Sequence, residues 1–545
     1  MLESIKKRIQ NLNSWKMLCL SILLVGLVAR ITVITVDIFN FDEYYLMNGV
    51  DKNFSEYAES RQFWLPLMVH YWLSNRVFGN ELLGYRLMPL LSSLAVILII
   101  YYAIPKFWSS AFNVCFFTLL VLAFNRHSLE LVTYSMFSYA SSLLESCLLF
   151  LLFLRLSMGL LTRKQWVLIT IIIIPSAFFS NIPILVPVAT GIFSVILFRF
   201  WKSPSPRNLK SVWFSLWEMK PLLIFPLIII SLWVLSPFPT SKDSYMASAL
   251  FTHSIYPQNL FGVFRFAFDN TLRLFGQLLI PYWTSKFIYY SDIDKISLMI
   301  FAGLIGISAI FVIMTTAIQL ARKNLDPKIA FTLIFIFITF LAILTGGILG
   351  LFPFGSSRYC FFLLIPIAVL IGYSVSMVFD WVLARMKMLD KLKVIPVIAA
   401  LVIFVCGIYI DVYRYKANLK INYQNNSVAE SIRNSNVDLI ILSSHLKPLF
   451  ELKFQDQYSK VYHMGYGVYK YSKVSNTGGS VPESVEKILS GNDKLKPVKR
   501  ILVVSRREID FIENYPSWYG LVSKYFIKNS AIESPPIWAG YYVRR

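Results

Sequence analysis

Two acids stand side by side in "NFDEYYLMNGV", residues 40–50, just after the first long apolar run of the chain. Asp42 and Glu43 sit at the mouth of what reads as a membrane helix. A carboxylate there loses water and gains little unless something needs its charge. A helix cap is the plain alternative for Asp42, and compensation of the helix dipole the plain one for Glu43. Cations stand in comparable places. Arg358 follows "FPFGSS" and opens a late apolar run, where a lipid phosphate or a headgroup would be in reach. Arg30 lies inside the first run, where a charge costs roughly 2.5–3.5 kcal/mol on insertion scales. That cost predicts a protein partner such as Asp37 or Asp42, or work on a phosphate. Arg61, His70, His253, Arg265 and Lys286 are the other basic or titratable candidates, all in the two long loops.

The elements that must position these residues are apolar. Of the 545 residues, 56% are hydrophobic and 15% charged, and the mean hydropathy is +0.59. A soluble protein would carry about a quarter charged residues. Runs of about 18 residues or more recur, each long enough to cross a bilayer. They lack the period-two alternation of a membrane β-barrel. The net charge of +22 is placed mostly in short loops, as the positive-inside rule expects, so nucleic acid is not an expected partner. Cys19, Cys115, Cys147, Cys360 and Cys406 all lie in apolar runs with no paired spacing. Neither a disulfide framework nor a zinc site is indicated.

Eleven spans are expected, near residues 17–38, 86–104, 110–124, 138–156, 166–181, 183–199, 221–236, 296–318, 329–350, 359–378 and 394–411. A tight turn is expected at "PKFWSS", between the second and third. Lys6, Lys7, Arg8 and Lys16 put the N-terminus in the cytoplasm. The basic loops at 155–166, 199–220, 321–328 and 385–393 then fall inside by parity, and the long loops 39–85 and 237–295 fall outside. Apart from Arg30, the span centres read as nearly free of charge. Both long loops have apolar residues at helical spacing with Tyr and Trp interspersed, as helices lying in the interface do. The first span reads as a retained anchor.

After about residue 412 the pattern changes. "VAESIRNSN" and "PESVEKILSGND" read as helices, each followed by a strand, "VDLIILSS" and "KRILVVS". The fold class expected is an all-α polytopic membrane protein of 1–411 with a small C-terminal α/β extracytoplasmic domain of 412–545. No Gly-rich phosphate loop occurs in that domain; a docking or acceptor-contacting module is expected.

The order of elements resembles a known family. An arginine-bearing first span leads to "DEYY", then to the Pro-centred "FWLPLMVHYWLSNRVFG", to "ELLGYRLMPLLSSL", and much later to "FPFGSSRYCFFLLIPIAVLIGYS". This set is similar to the GT-C membrane glycosyltransferases. The closest group is the family-39-like one, which includes protein O-mannosyltransferases and lipid A aminoarabinose transferases. The resemblance implies transfer of a sugar from a polyprenyl-phosphate carrier to a lipid, glycan or protein acceptor at the extracytoplasmic face of the plasma or inner membrane. It makes Asp42 the base or orienter of the acceptor hydroxyl and Glu43 a neighbour or metal-side group. Glu130 and Tyr134 match the family's element after the third span. No ligand cluster requires a metal; a divalent ion beside the acids is compatible with the family.

Two departures stand out. Trp64 and Leu65 precede Pro66 where relatives carry a basic or titratable group, and Val132 stands where Arg is common. Two other expectations therefore stay open: a lipid-linked glycan transporter or flippase, and an inactive scaffold of the same fold.

Overall fold

The computed structural model describes residues 14–34, 46–61, 64–79, 82–108, 112–129, 137–171, 184–202, 217–236, 260–279, 326–349, 360–385, 437–443, 461–464, 483–490, 498–512 and 516–545, with single residues or pairs left out of some of these. Two units result: residues 1–34 with 49–413, and residues 35–48 with 414–545.

The first unit is helical. Its elements are α1 (Ser14–Val33), α2 (Phe54–Arg61), α3 (Leu65–Phe78), α4 (Leu82–Phe107), α5 (Phe112–Phe124), α6 (Phe137–Met158), α7 (Leu185–Lys202), α8 (Ile224–Leu235), α9 (Leu260–Leu279), α10 (Pro327–Ile348) and α11 (Leu364–Arg385). Eight of the eleven expected spans coincide with α1, α4, α5, α6, α7, α8, α10 and α11. Those near 296–318 and 394–411, and most of that near 166–181, lie outside the described residues. Five described helices are long and apolar enough to cross a membrane, and three shorter ones are apolar. The chain is an integral membrane protein.

The expected turn at "PKFWSS" begins later than the sequence suggests. α4 runs through both Pro89 and Pro105 to Phe107. Proline forfeits one backbone bond in a helix, and a long apolar segment packed against α1, α3, α5 and α6 tolerates that loss.

α5 is the hub, packed on α1, α4 and α11. Close approach there rests on small residues. A Cβ at Gly372 of α11 would lie 2.3 Å from Thr118 Oγ1 of α5, and one at Gly26 of α1 would lie 3.0 Å from the Ala123 Cβ. Helices in lipid associate through such packing and through side-chain bonds. One such bond joins Thr190 Oγ1 of α7 and Thr339 Oγ1 of α10 at 2.8 Å.

Loop one folds back as helix, as its spacing predicts. α3 has Pro66 in its first turn, where a missing N–H costs nothing. It stops at Gly79, whose φ of 66° suits glycine alone.

The second unit holds a five-stranded sheet in the order β2-β1-β3-β5-β4. The strands are β1 (Leu439–Ser443), β2 (Val461–Met464), β3 (Arg500–Ser505), β4 (Phe526–Ser534) and β5 (Ile537–Arg544). β2, β1 and β3 are parallel; β3–β5 and β5–β4 are antiparallel. Two helices belong to this unit, α12 (Glu483–Ser490) and α13 (Pro516–Tyr525). They bury Leu489, Trp518 and Val522 with Leu439, Ile441, Ile501, Val503 and Trp538 of one sheet face. The strands at "VDLIILSS" and "KRILVVS" and the helix at "PESVEKILSGND" are as expected, and the helix read at "VAESIRNSN" lies outside the described residues except for Glu430, which is helical.

Candidate active site

α1 places Arg30 in its last turn, and its side chain is fully buried. The guanidinium is spread over three helices. Nε donates to Ser93 Oγ of α4 at 2.8 Å, Nη1 to the Gly26 carbonyl at 3.0 Å, and Nη2 to Ser128 Oγ at 2.9 Å and to the Leu122 carbonyl at 3.2 Å. Ser93 Oγ in turn donates to the Ser128 carbonyl at 2.9 Å. These acceptors are neutral dipoles, and the planar five-donor fork of arginine reaches them together.

The same network fixes the exit of α5. The Ser128 amide donates to Asn125 Oδ1 at 3.0 Å, and the Asn125 amide group donates to the Leu278 carbonyl of α9. Leu129 packs against Ala29. Glu130, the next residue in sequence, follows directly on this pinned turn.

α3 is held to α4 by polar bonds as well as packing. His70 Nε2 donates to the Tyr85 carbonyl at 3.0 Å, Asn75 donates to the Tyr85 hydroxyl at 3.1 Å, and the Tyr71 and Tyr85 rings stack at 5.1 Å. A ring nitrogen facing a carbonyl must carry the proton. Burial lowers the His70 pKa to about 4, against a smaller upward pull from the Tyr85 carbonyl. His70 is therefore neutral at pH 7. The Leu65 amide donates to Ser236 Oγ at 3.0 Å, which ties the start of α3 to the end of α8, beside buried Trp64.

The other residues singled out in the sequence divide as follows. Arg265 is exposed on α9 and pairs with Asp269 one turn on, at 3.5 Å. Arg61 is the last residue of α2. Asp42, Glu43, Glu130, Tyr134, His253, Lys286 and Arg358 lie outside the described residues. Arg358 precedes by two residues Cys360, from which the buried turn Phe361–Leu363 enters α11.

Two buried ionic side chains differ from the sequence reading. Arg86 tops the second expected span, a position that in sequence reads as an interface anchor; it is 1% exposed and donates to the Ile34 carbonyl at 3.2 Å. Glu145 breaks the expectation of charge-free span centres. It is fully buried in α6, with Ser141, Ser142 and Ser146 buried on the same helix. The signal was in "SSLLES": polar residues recur at i, i+1, i+4 and i+5, the stripe of a helix face turned to protein. Among the described residues, no group of three or more His, Cys, Asp or Glu side chains is gathered as metal ligands would be.

A polytopic helical unit with helices folded back between its spans, joined in sequence to a small α/β unit, is a fold this chain shares with solved membrane-protein structures. It is similar to the crystal structure of ArnT from Cupriavidus metallidurans bound to undecaprenyl phosphate: the TM-score is 0.50, the identity 11%, and 96% of this chain and 97% of that one are covered. Similarity to ArnT from the same organism in the apo state has a TM-score of 0.51 at the same identity and coverage. No family model and no curated protein matches the chain. The likeness at this identity is one of fold.

Proposed function

We propose that the chain is an inverting glycosyltransferase. It moves a sugar from a polyprenyl-phosphate carrier to an acceptor hydroxyl at the extracytoplasmic face of the membrane. The observation that carries this reading is the fold likeness over nearly the whole of both chains to a protein crystallised with undecaprenyl phosphate.

In this reading Asp42 accepts the proton of the acceptor hydroxyl as its oxygen attacks the anomeric carbon from the face opposite the phosphate. The new glycosidic bond forms, the bond from the anomeric carbon to the phosphate oxygen breaks, and the polyprenyl phosphate leaves with the electron pair. Arg358 stabilises the charge developing on that phosphate. Glu43 and Glu130 orient the acceptor or hold a divalent cation. Arg30 acts at one remove, by holding the turn that ends at Leu129.

The test is transfer by purified protein given polyprenyl-phosphate sugars and candidate acceptors. Asp42→Asn should leave expression and insertion intact and remove most transfer, by about a hundredfold or more, as loss of a general base does. Wild-type rates in that variant would sink the assignment. Flipping of the carrier without any transfer would point to a transporter instead. Chelation followed by magnesium or manganese addition tests the cation: loss and recovery of transfer would establish it.

A further inference from the structure

One end of the sheet in the second unit differs from the rest of it. β3 and β4 begin there, and β5 ends there. The Arg544 amide donates to the Lys499 carbonyl at 2.9 Å and the Arg545 amide to the Tyr525 carbonyl at 3.1 Å, so the three strand ends are fastened level with one another. The register then sets Arg500, Val543 and Ile527 in one row across β3, β5 and β4.

Alternation along each strand decides the face on which this row lies. Ile501 and Tyr542, one residue away on their strands, belong to the core under α12 and α13. Arg500, Val543 and Ile527 therefore lie on the opposite face, and Arg545, two residues on from Val543, follows them. Further along that face Leu502, Val504 and Ala539 are fully buried. At the end row Ile527 is 57% exposed and Val543 39%, and Arg500 and Arg545 are exposed. Two bare aliphatic side chains thus stand between two arginines. β4 bulges beside them, between Lys528 and Ser530.

The neighbouring charges are engaged elsewhere. The Arg544 guanidinium donates to the Val498 and Ser490 carbonyls at 3.3 and 2.9 Å. Lys528 donates to both carboxylate oxygens of Glu508, at 2.7 and 2.8 Å. Asp438 accepts from the Lys499 and Arg500 amides at 2.8 and 2.9 Å with one oxygen, a single acid beside exposed Lys499, Arg500 and Arg545. The ledge is therefore apolar at its centre and positive at its rim.

That combination fits a lipid surface. The headgroup–acyl boundary takes aliphatic side chains, and anionic headgroups attract the cations around them. Most of this unit follows the membrane-spanning helices in sequence, so a bilayer is always within reach at high effective concentration. We infer that the row Arg500, Val543 and Ile527, with Arg545, docks on the surface of an anionic bilayer, Ile527 and Val543 entering the headgroup layer. The contact depends neither on the transfer reaction proposed above nor on which side of the membrane the unit occupies.

Amide hydrogen exchange on the full chain in nanodiscs tests this. On the edge strand β4 the amides turned away from β5 have no strand to bond, so contact with lipid should be read there. Replacing part of the phosphatidylcholine with phosphatidylglycerol should slow exchange over residues 527–531 by about threefold or more. Arg500→Gln with Arg545→Gln should abolish the difference between the two lipids, as should raising the salt to about 0.5 M. Ile527→Ser with Val543→Ser should weaken the protection in both lipids. Unchanged exchange along β1 and β3 in the same spectra confirms that each variant is folded. Equal exchange in the two lipids overturns the inference, as does slowing that survives the paired arginine substitutions. Slowing that rises with protein concentration in neutral detergent also overturns it, since a second copy of the chain would then be the partner.

Discussion

Arg30 of α1 and Ser93 of α4 are joined by a 2.8 Å bond between Nε and Oγ, and both are buried. The pair sits where three helices meet, since the same guanidinium also reaches Ser128 beyond α5. A charged group fully inside a membrane bundle is held by geometry, so its neighbours are under strong constraint.

Removal of Arg30 should cost more than removal of any one acceptor. Arg30→Met deserts four acceptors at once, a loss of about 2–4 kcal/mol at the usual value of buried hydrogen bonds to charge. Ser93→Ala should cost about 1 kcal/mol. Thermal unfolding in detergent, read for both variants and their combination, checks this. Coupling between them should be clear, and additive losses would show that Arg30 does not act through Ser93.

His70 should make the protein sensitive to mild acid. Its folded-state pKa is about 4, below the ordinary histidine value of 6.5. Between those values the unfolded chain binds a proton that the folded one refuses, so stability falls as pH drops from 6.5 to 4 and is fully present above 6.5. The whole effect is on the order of 3 kcal/mol. Gln at position 70 can still donate to the Tyr85 carbonyl but cannot titrate. A stability curve for His70→Gln that is flatter than wild type across this window is the expected result; equal slopes would mean that another group is responsible.

The topology can be tested at positions that the structure shows to be accessible. Ser443, though in the tail expected outside, is buried in β1 and would not react. Lys524 on α13 and Lys164 in the basic loop are exposed. The described native cysteines are all buried. In a chain lacking its native cysteines, a membrane-impermeant thiol reagent applied from outside should label Lys524→Cys and miss Lys164→Cys. The opposite pattern would invert the assignment of sides.

Spans were the most legible part of the sequence because a run of apolar residues has only one use at that length. The span expected at 138–156 lies within α6, Phe137–Met158, yet Glu145 inside it does not stand out in an apolar run. One acid barely lowers an average over twenty residues, and only the spacing of Ser141, Ser142 and Ser146 around it reveals a protein-facing stripe. Arg86 reads as a lipid-facing anchor for a related reason. Position along a helix says how deep a side chain lies, and packing by α1 decides whether it meets lipid or the Ile34 carbonyl. The Arg30 network was illegible because its acceptors are two serines and two carbonyls, groups that every segment carries. In the second unit, β1 and β3 were clear from Val and Ile runs. The hairpin of β4 and β5 was not, since "FIKNSAIES" mixes charged and small residues and lies on an edge where residues 527–531 are exposed.

The last prediction concerns Arg358. A lipid phosphate carries its charge at headgroup depth, and a cation at the end of a span is well placed to hold it. Arg358 stands two residues before the turn into α11, and "PFGSS" ahead of it supplies a glycine and small polar residues that let backbone approach a phosphate closely. Arginine offers a bidentate fork that lysine cannot copy. Under the proposed reaction, Arg358→Lys should weaken use of the polyprenyl-phosphate donor by about tenfold, and Arg358→Ala should weaken it further, at the usual value of one charged hydrogen bond or more. A headgroup anchor has no need of the fork, so lysine would then serve as well as arginine. Donor dependence of transfer in the two variants distinguishes these roles. Wild-type donor dependence in Arg358→Lys would favour the anchor, and a folded, fully active Arg358→Ala would remove this residue from the site.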